Sequence, residues 1–458
     1  MIVRSRDLWA DGAPSADLLK SVMQEFVKGM PRLEMLREAY GNRRGITQRT
    51  RAKGLPNNRV AHAFPRYIVT MSTGYLLGKA VSYTATETEK EALENVLKAY
   101  KLAKVESVDS ELAKDCGVYG RAVELVYSDE NAQVKTATLC PENAFVVYDD
   151  SVENKPLFGV YFNAHYNLQN KLDFYDVHVY THDAMYTYSA EKLEGPYVFM
   201  DDAQPLYFGA VPMIEYWNSE DEVGDFEQVL SLIDAYDTLE SDRVNDKEEF
   251  VDALLVLTGC TMATDESGRT PSRQLREDRM LTLPDSEAKA EYLTHVLDES
   301  NVEILKNALK ADIHKFSMVP DLTDMEFAGN GSGVAMRYKL LGLENLIRIK
   351  ESWFREGLQE RLRCFAHWLS VMGKRMLNVD DVSIVFSRGL PANELEISQM
   401  VANYAGHVPE ELLLGQVPFV ENVQNALEAL KKQREENVQA QKRMFGGYDD
   451  IPNEGETE

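Results

Sequence analysis

The chain has little of what metal centres, redox sites and secreted folds are built from. Its 458 residues include four cysteines, Cys116, Cys140, Cys260 and Cys364. They lie far apart and form no CxxC pair, which predicts free thiols in a reducing compartment. The eight histidines contain no HExxH motif. His178 and His182 are the one close pair, expected to share the face of a strand, and no cysteine or third ligand accompanies them, so no metal site and no cofactor is expected. No apolar run reaches the ~18 residues a membrane helix needs, and no signal peptide opens the chain. The expectation is a soluble, unsecreted protein with no membrane contact. Basic charge is also scarce: the net charge is -26, which argues against wrapping nucleic acid through direct phosphate contacts.

One stretch inverts that balance. Between Glu38 and Glu87 there is no carboxylate, yet Arg43, Arg44, Arg49, Arg51, Lys53, Arg59 and Arg66 all fall there. Such an arm can bind nucleic acid or the acidic surface of a neighbouring copy. The second requires no further molecule and is the simpler expectation, with Arg43, Arg44, Arg49 and Arg51 as inter-subunit residues.

A glycine-rich run, GNGSG at 329–333, raises the question of a phosphate site. A Walker loop needs Lys and then Ser or Thr after its last glycine; here Val334 and Ala335 follow. A dinucleotide fingerprint needs a buried strand before the glycines. Instead Val302, Leu305, Leu309, Ile313 and Phe316 step by three or four, which is helical spacing. Helix, glycine loop, helix fits neither motif. An exposed connection is the better reading.

The patterning gives a mixed order of elements. Residues 1–64 hold a helix with Ser15 as its N-cap, then the basic arm. Residues 66–119 read as helices. Residues 120–217 read as strands rich in Tyr, Phe and Val with short links, an antiparallel meander. The Asp pairs at 149–150 and 201–202 sit at strand ends and are assigned to turns rather than catalysis. From Asp225 a helix runs without Pro or Gly, about 45 Å if straight. From Asp237 to Glu249 it carries six carboxylates and two bases, too polar to lie inside one compact globule. A second helix follows at 301–318, and the two bracket a small tip. After the glycine loop comes a helical pattern of some 40 residues from about Val334, bent if anywhere at Gly342, with Phe354, Leu358, Leu362, Phe365 and Leu369 as its apolar stripe. A strand at VSIVFSRGLP, two closing helices and an acidic, Gly-rich tail complete the chain.

This order resembles the portal proteins of long-tailed double-stranded DNA bacteriophages. Three stretches carry the likeness: NNRVAHAFPRYIVTMSTGYLLGKAVSY, VPMIEYWNSEDEVGDFEQVLSLIDAYDTLESDRVNDKEEFVDALLVLTG and GSGVAMRYKLLGLENLIRIKESWFREGLQERL. Together they cover roughly residues 50 to 435, and no one of them decides alone. The resemblance implies an α+β portal fold with a strand-rich wing, two-helix stem, small α/β clip, long wing helix and helical crown. It divides the chain into an N-terminal region and arm (1–64), wing (65–225), stem helix (226–257), clip (258–300), second stem helix (301–318), tunnel loop (319–333), long wing helix and strand (334–392), crown (393–438) and a disordered acidic tail (439–458).

What the resemblance implies for function is a homo-oligomeric ring of about twelve subunits at one capsid vertex of the virion, assembled in the host cytoplasm. Double-stranded DNA would pass through its channel without sequence preference. Its other partners would be the large terminase motor, a head–tail adaptor, and the major capsid and scaffolding proteins. Asp321, Thr323, Asp324, Glu326, Gly329, Asn330, Gly331, Ser332 and Gly333 would form a tunnel loop against the DNA. Arg273, Arg276, Glu277, Asp278 and Arg279 would be the clip's docking residues for motor and adaptor. A ring of such chains would carry roughly 300 negative charges, a field that lets DNA slide rather than stick. No catalytic residue is expected. The competing readings are another structural protein of the virion head, against which the paired long helices argue, and a packaging enzyme, for which a nucleotide loop and a carboxylate cluster are both missing.

Overall fold

The computed structural model describes residues 1–9, 12–53, 55–200, 203–251, 254–258, 289–293, 299–322, 338–388, 394–415, 417, 420 and 423–445. They divide into two compact units, Met1–Gly389 and Leu390–Glu458.

The first unit opens with a three-residue strand, β1 (Ile2–Arg4), and a long helix, α1 (Ala16–Tyr40). Ser15 caps α1, its side chain accepting from the Leu18 amide at 3.2 Å. Leu19, Val22, Met23, Phe26, Leu33 and Leu36 recur at helical spacing and are all buried. A short turn of helix, α2 (Gly45–Gln48), leads into the arm, and α3 (Phe64–Leu76) follows. Then come β2 (Ser82–Ala85), α4 (Lys90–Ala103) and α5 (Val105–Tyr119). The β2 strand falls in a region expected to be all helical. Its partner β14 (Val382–Val385) lies some three hundred residues away, a pairing that no local pattern announces.

Eight of the described strands then follow in succession: β3 (Arg121–Ser128), β4 (Val134–Leu139), β5 (Ala144–Asp149), β6 (Pro156–Tyr166), β7 (Leu172–Tyr180), β8 (Ala184–Ala190), β9 (Val198–Phe199) and β10 (Gln204–Pro205). The expected meander is β5–β6–β7–β8, with β9 and β10 both pairing with β8. It is not the whole arrangement. β1 adds to β5 in parallel, and β3 and β4 join β11 (Met213–Trp217) in a separate sheet of order β11–β3–β4. Every residue of β5 and β11 is buried, the mark of strands covered on both faces. In β8, Ala184, Tyr186, Tyr188 and Ala190 are buried while the alternate residues are half-buried, the period of a strand with one face on the core. His178 lies in β7 but His182 falls in the turn to β8, so the two do not share a strand face. Asp149 does the turn chemistry assigned to it. Its carboxylate accepts from the Ser151 hydroxyl at 2.6 Å and the Lys155 amide at 2.8 Å, and these bonds, the Ser151 hydroxyl foremost, hold its pKa below the ordinary value.

The polar helix is α6 (Leu230–Val251), preceded by a 3-10 turn at Glu227–Val229. It ends before the expected 257, because β12 (Leu254–Thr258) pairs antiparallel with β13 (Lys289–Leu293). The second helix of the pair is α7 (Glu299–Ser317), and the long helix is α8 (Leu341–Val371). Gly342 therefore lies in the first turn of α8 rather than at a bend. Phe354, Leu358, Leu362 and Phe365 are buried as their spacing predicts. In the second unit, α9 (Glu394–Tyr404), α10 (Glu410–Leu414) and α11 (Val423–Phe445) are helical. Helix thus continues past 439, where a disordered tail was expected, as far as Phe445.

Candidate functional site

The acid-free arm meets the acid-rich helix. Residues 57–62 run alongside α6 in the opposite direction, held by side chains of the helix. The Asn58 amide donates to Asn245 Oδ1 at 2.7 Å, the Val60 amide to Ser241 Oγ at 2.9 Å, and the His62 amide to Asp237 Oδ1 at 3.0 Å. Ser241 Oγ also donates back to the Val60 carbonyl at 3.3 Å. Every second residue of the arm thus meets every fourth residue of the helix. The match is geometric, since four helical residues rise about 6 Å and two extended residues about 6.6 Å. Asp237, Ser241 and Asn245 are fully buried by this contact. A helix face of three polar side chains is buried without cost only because the arm's backbone satisfies it.

Arginines lock the contact. Arg44 is buried and pairs with Asp237 and, at 3.2 Å, with Asp234. Asp237 also accepts from His62 Nδ1 at 2.9 Å. Arg49 and Arg51 both reach Asp242, at 2.8 and 2.7 Å, and Arg43 pairs with Glu38 at 2.9 Å. Arg44, Arg49 and Arg51, expected to find acids on a neighbouring copy, find them on their own α6. The signal was present in sequence: short acceptors at 237, 241 and 245, four apart, on a helix with no apolar partner for them.

Ion pairs join α6 to α7. Arg243 lies 2.9 Å from both Glu299 and Glu303, Lys247 lies 2.5 Å from Glu299, and Lys306 lies 3.6 Å from Glu240. Burial pulls the Arg243 pKa down, but the bonds to Glu303 and Glu299 outweigh it and hold the pKa above the ordinary value. The bond from Lys247, with help from Arg243, holds Glu299 below its own.

At the far end of α7 the chain turns through Met318, whose φ of 59° is left-handed. The expected tunnel loop starts here, and its first residues are fastened. Tyr67 donates to the Pro320 carbonyl at 2.9 Å and accepts from the Leu322 amide at 3.2 Å. His314 Nδ1 lies 2.9 Å from the Val319 carbonyl, and Lys310 pairs with Asp321 at 2.7 Å. The chain returns at the same place: a Cβ on Gly342 would sit 3.7 Å from the Met318 carbonyl oxygen. The loop base is therefore closed. Beside it is an open cleft of about 270 Å³ lined by His62, Phe64, Tyr67, Lys310, His314 and Asp321, shallower than the usual ligand pocket. Of the loop residues expected to face DNA, Asp321 belongs to this base. Thr323, Asp324, Glu326, Gly329, Asn330, Gly331, Ser332 and Gly333 lie outside the described residues, as do Arg273, Arg276, Glu277, Asp278 and Arg279.

The long helix that follows is bolted to the body by two buried cations which sequence reasoning missed. Lys350 Nζ lies 2.7 and 3.0 Å from the Asp225 carboxylate, which Ser72 also contacts. Three turns on, Arg361 is fully buried, 2.7 and 2.9 Å from Glu124 and 2.5 Å from Asp109. Tyr216 donates to Glu124 at 2.5 Å. Burial outweighs the attraction of Arg361 at Asp109 and pushes its pKa up. Between the two cations, Gly357 lets α8 approach β11, since a Cβ there would meet the Tyr216 ring at 2.4 Å. Among the described residues no group of His, Cys, Asp and Glu is placed to hold a metal ion, and no helix is long and apolar enough to cross a membrane.

The family model for phage portal proteins of the SPP1 Gp6-like type matches residues 20–440. The chain belongs to that portal family. It is 24% identical over 430 residues to the portal protein of Bacillus phage SPP1, covering 88% of this chain and 82% of the relative. It is 23% identical over 222 residues to the portal protein of Clostridium phage phiCD119, covering 48% of each. Among solved structures it is similar to a chain in the neck of an empty gene transfer agent particle, with TM-score 0.45 and 12% identity over 84% of this chain and 93% of that one. A chain of the native gene transfer agent virion is also similar, with TM-score 0.42 and 11% identity over 85% and 94%. The portal family match agrees with an α+β fold of this type, and it spans the arm, the helix pair, the loop base and the long helix.

Proposed function

We propose that the chain assembles head to tail into a closed ring of about twelve subunits at one capsid vertex, and that this ring is a conduit for double-stranded DNA. The ring passes the genome inward during packaging and outward during ejection, and it performs no catalysis. The α6–α7 pair is its stem, the segment from β12 to β13 its clip, and the segment after Leu322 its tunnel loop. The clip receives the large terminase motor and later the head–tail adaptor. The rim meets the major capsid and scaffolding proteins during assembly in the host cytoplasm.

The observation that carries this reading is the portal family match, which runs unbroken through the helix pair and the loop. The physical design agrees with it. A net charge of -26 per chain makes a channel that repels phosphates over a Debye length of about 8 Å at physiological salt. DNA in such a channel is confined without being bound. The closed loop base supports the same reading, because a loop pinned at both ends can change shape toward the DNA without moving the helices that carry it.

Negative-stain microscopy of the purified protein tests the proposal. The expected images are rings with a central hole. Monomers at every concentration and salt tried, from a chain with a cooperative melt, would overturn it.

A further inference from the structure

In the single chain, α7 is inside out. A surface helix turns its apolar stripe to the core and its charges to water. Here the charges go inward: Glu299, Glu303 and Lys306 point to α6, and Lys310 and His314 to the loop base. Ile313 and Ser317 are buried on that side. On the opposite side Ile304 is 66% exposed, Leu305 50% and Phe316 56%, with Ala308 and Ala311 exposed between them. At 100° per residue, Glu299, Glu303 and Lys306 lie within one arc of the helix, and Ile304, Ala308 and Ala311 lie across from it.

The same side is nearly free of acid. From Ile304 to Phe316 no fully exposed residue is a carboxylate, and the one acidic residue, Asp312, is half-buried. In a chain with 75 acidic residues this is where two copies can approach with least repulsion. Three large apolar side chains in a row on a free helix face mark a surface that is covered in the working state.

We infer that this face of α7 is the contact by which the helix pair of one copy packs against the helix pair of the next. The inference rests on the ring reading and adds to it the residues of the contact. The occupant is a second copy of this chain. α6 already covers the other flank of α7, so a ring of such pairs places the next pair on the uncovered flank. A like-charged copy is excluded from the acidic surfaces and admitted at this one. Ala308 and Ala311 let the helices come close, and Ile304, Leu305 and Phe316 fill the seam on either side.

The double variant Leu305→Asp, Phe316→Asp tests the contact, with Ile349→Asp on the exposed side of α8 as control. Mass photometry and negative-stain microscopy read the assembly, and circular dichroism reads the fold. If wild type forms rings, the expected result is at least a tenfold rise in the concentration needed for rings in the double variant, with the monomer melt and the control unchanged. Rings at the wild-type concentration would overturn the inference and leave the ring reading standing. If wild type itself forms no rings, the ring reading fails and the inference with it. Should the double variant precipitate, cysteines placed by Ala308→Cys and Ile349→Cys in otherwise unchanged protein decide the matter. In assembled protein a maleimide should label position 349 and spare position 308, read by peptide mass mapping. Equal labelling at both sites would overturn the contact.

Discussion

The body and the helix pair both use ion pairs between helix and neighbour, and they use them under opposite conditions. In the body, Arg361 and Lys350 are withdrawn from water with their carboxylates. Desolvating such charges is expensive, so each holds only if every partner is in place. The two bolts sit three turns apart on one face of α8, and a slip of that helix by one turn would break both. In the helix pair, Arg243, Lys247, Glu299 and Glu303 keep much of their exposure. Pairs of that kind contribute little in water and are screened by salt. The comparison teaches that one interaction type does two jobs: buried pairs fix register, and half-exposed pairs leave the helices adjustable.

The largest expected effect comes from breaking a bolt. Arg361→Met leaves Glu124 and Asp109 buried without their cation and should cost about 3–5 kcal/mol, by analogy with other broken buried pairs. Urea denaturation of the monomer measures it. A loss below about 1 kcal/mol would mean that water reaches the site, and the contrast between the two regions would dissolve.

Next comes the arm. Asp237→Ala removes the acceptor of the Arg44 side chain and the His62 amide, and should cost about 2–3 kcal/mol while freeing the arm. Limited proteolysis should then cut within 49–62 at a rate well above wild type, with the body intact. Unchanged protection would show that the apolar anchor at Phe64 holds the arm without the polar contact.

The smallest effect belongs to the helix pair. Arg243→Ala should lower the melting temperature by about 2 °C or less, and added salt should erase the difference. The pH dependence has a definite sign. The folded pKa of Glu299 lies below its ordinary 4.5. Its contribution is present above that value and is lost as pH falls through the folded one. Asp109, raised above its ordinary 3.8, acts in the opposite sense, its share lost as pH rises through the folded value. Salt and acid should therefore loosen the helix pair before the body. Loss of near-ultraviolet ellipticity from the body first would reverse the assignment.

Much of the architecture is legible locally, because local physics decides it. Ser15 before an apolar periodicity dictates a capped helix, and alternating Tyr and Val dictate strands. An uninterrupted polar run dictates a helix that leaves the globule. The expected bounds of the helix pair fall within a few residues of the observed ones, except where β12 begins early. The site is legible to a lesser degree. The acid-free arm stands out in composition, but composition is silent on which acids answer it, and the chain supplies its own.

The sequence by itself determined the element types, the absence of metal and nucleotide motifs, the acidity and the family. Tertiary structure alone decided the long-range choices: β1 beside β5, β2 beside β14, Arg44 inside rather than outside, Lys350 and Arg361 buried rather than solvated, and Leu305 and Phe316 exposed although they share helical spacing with buried Leu309-side positions. The reason is physical. Helical and strand periodicity follow from bonds within a few residues. Whether a charge is buried or an apolar stripe is left bare depends on what distant chain, or a second copy, comes to lie against it.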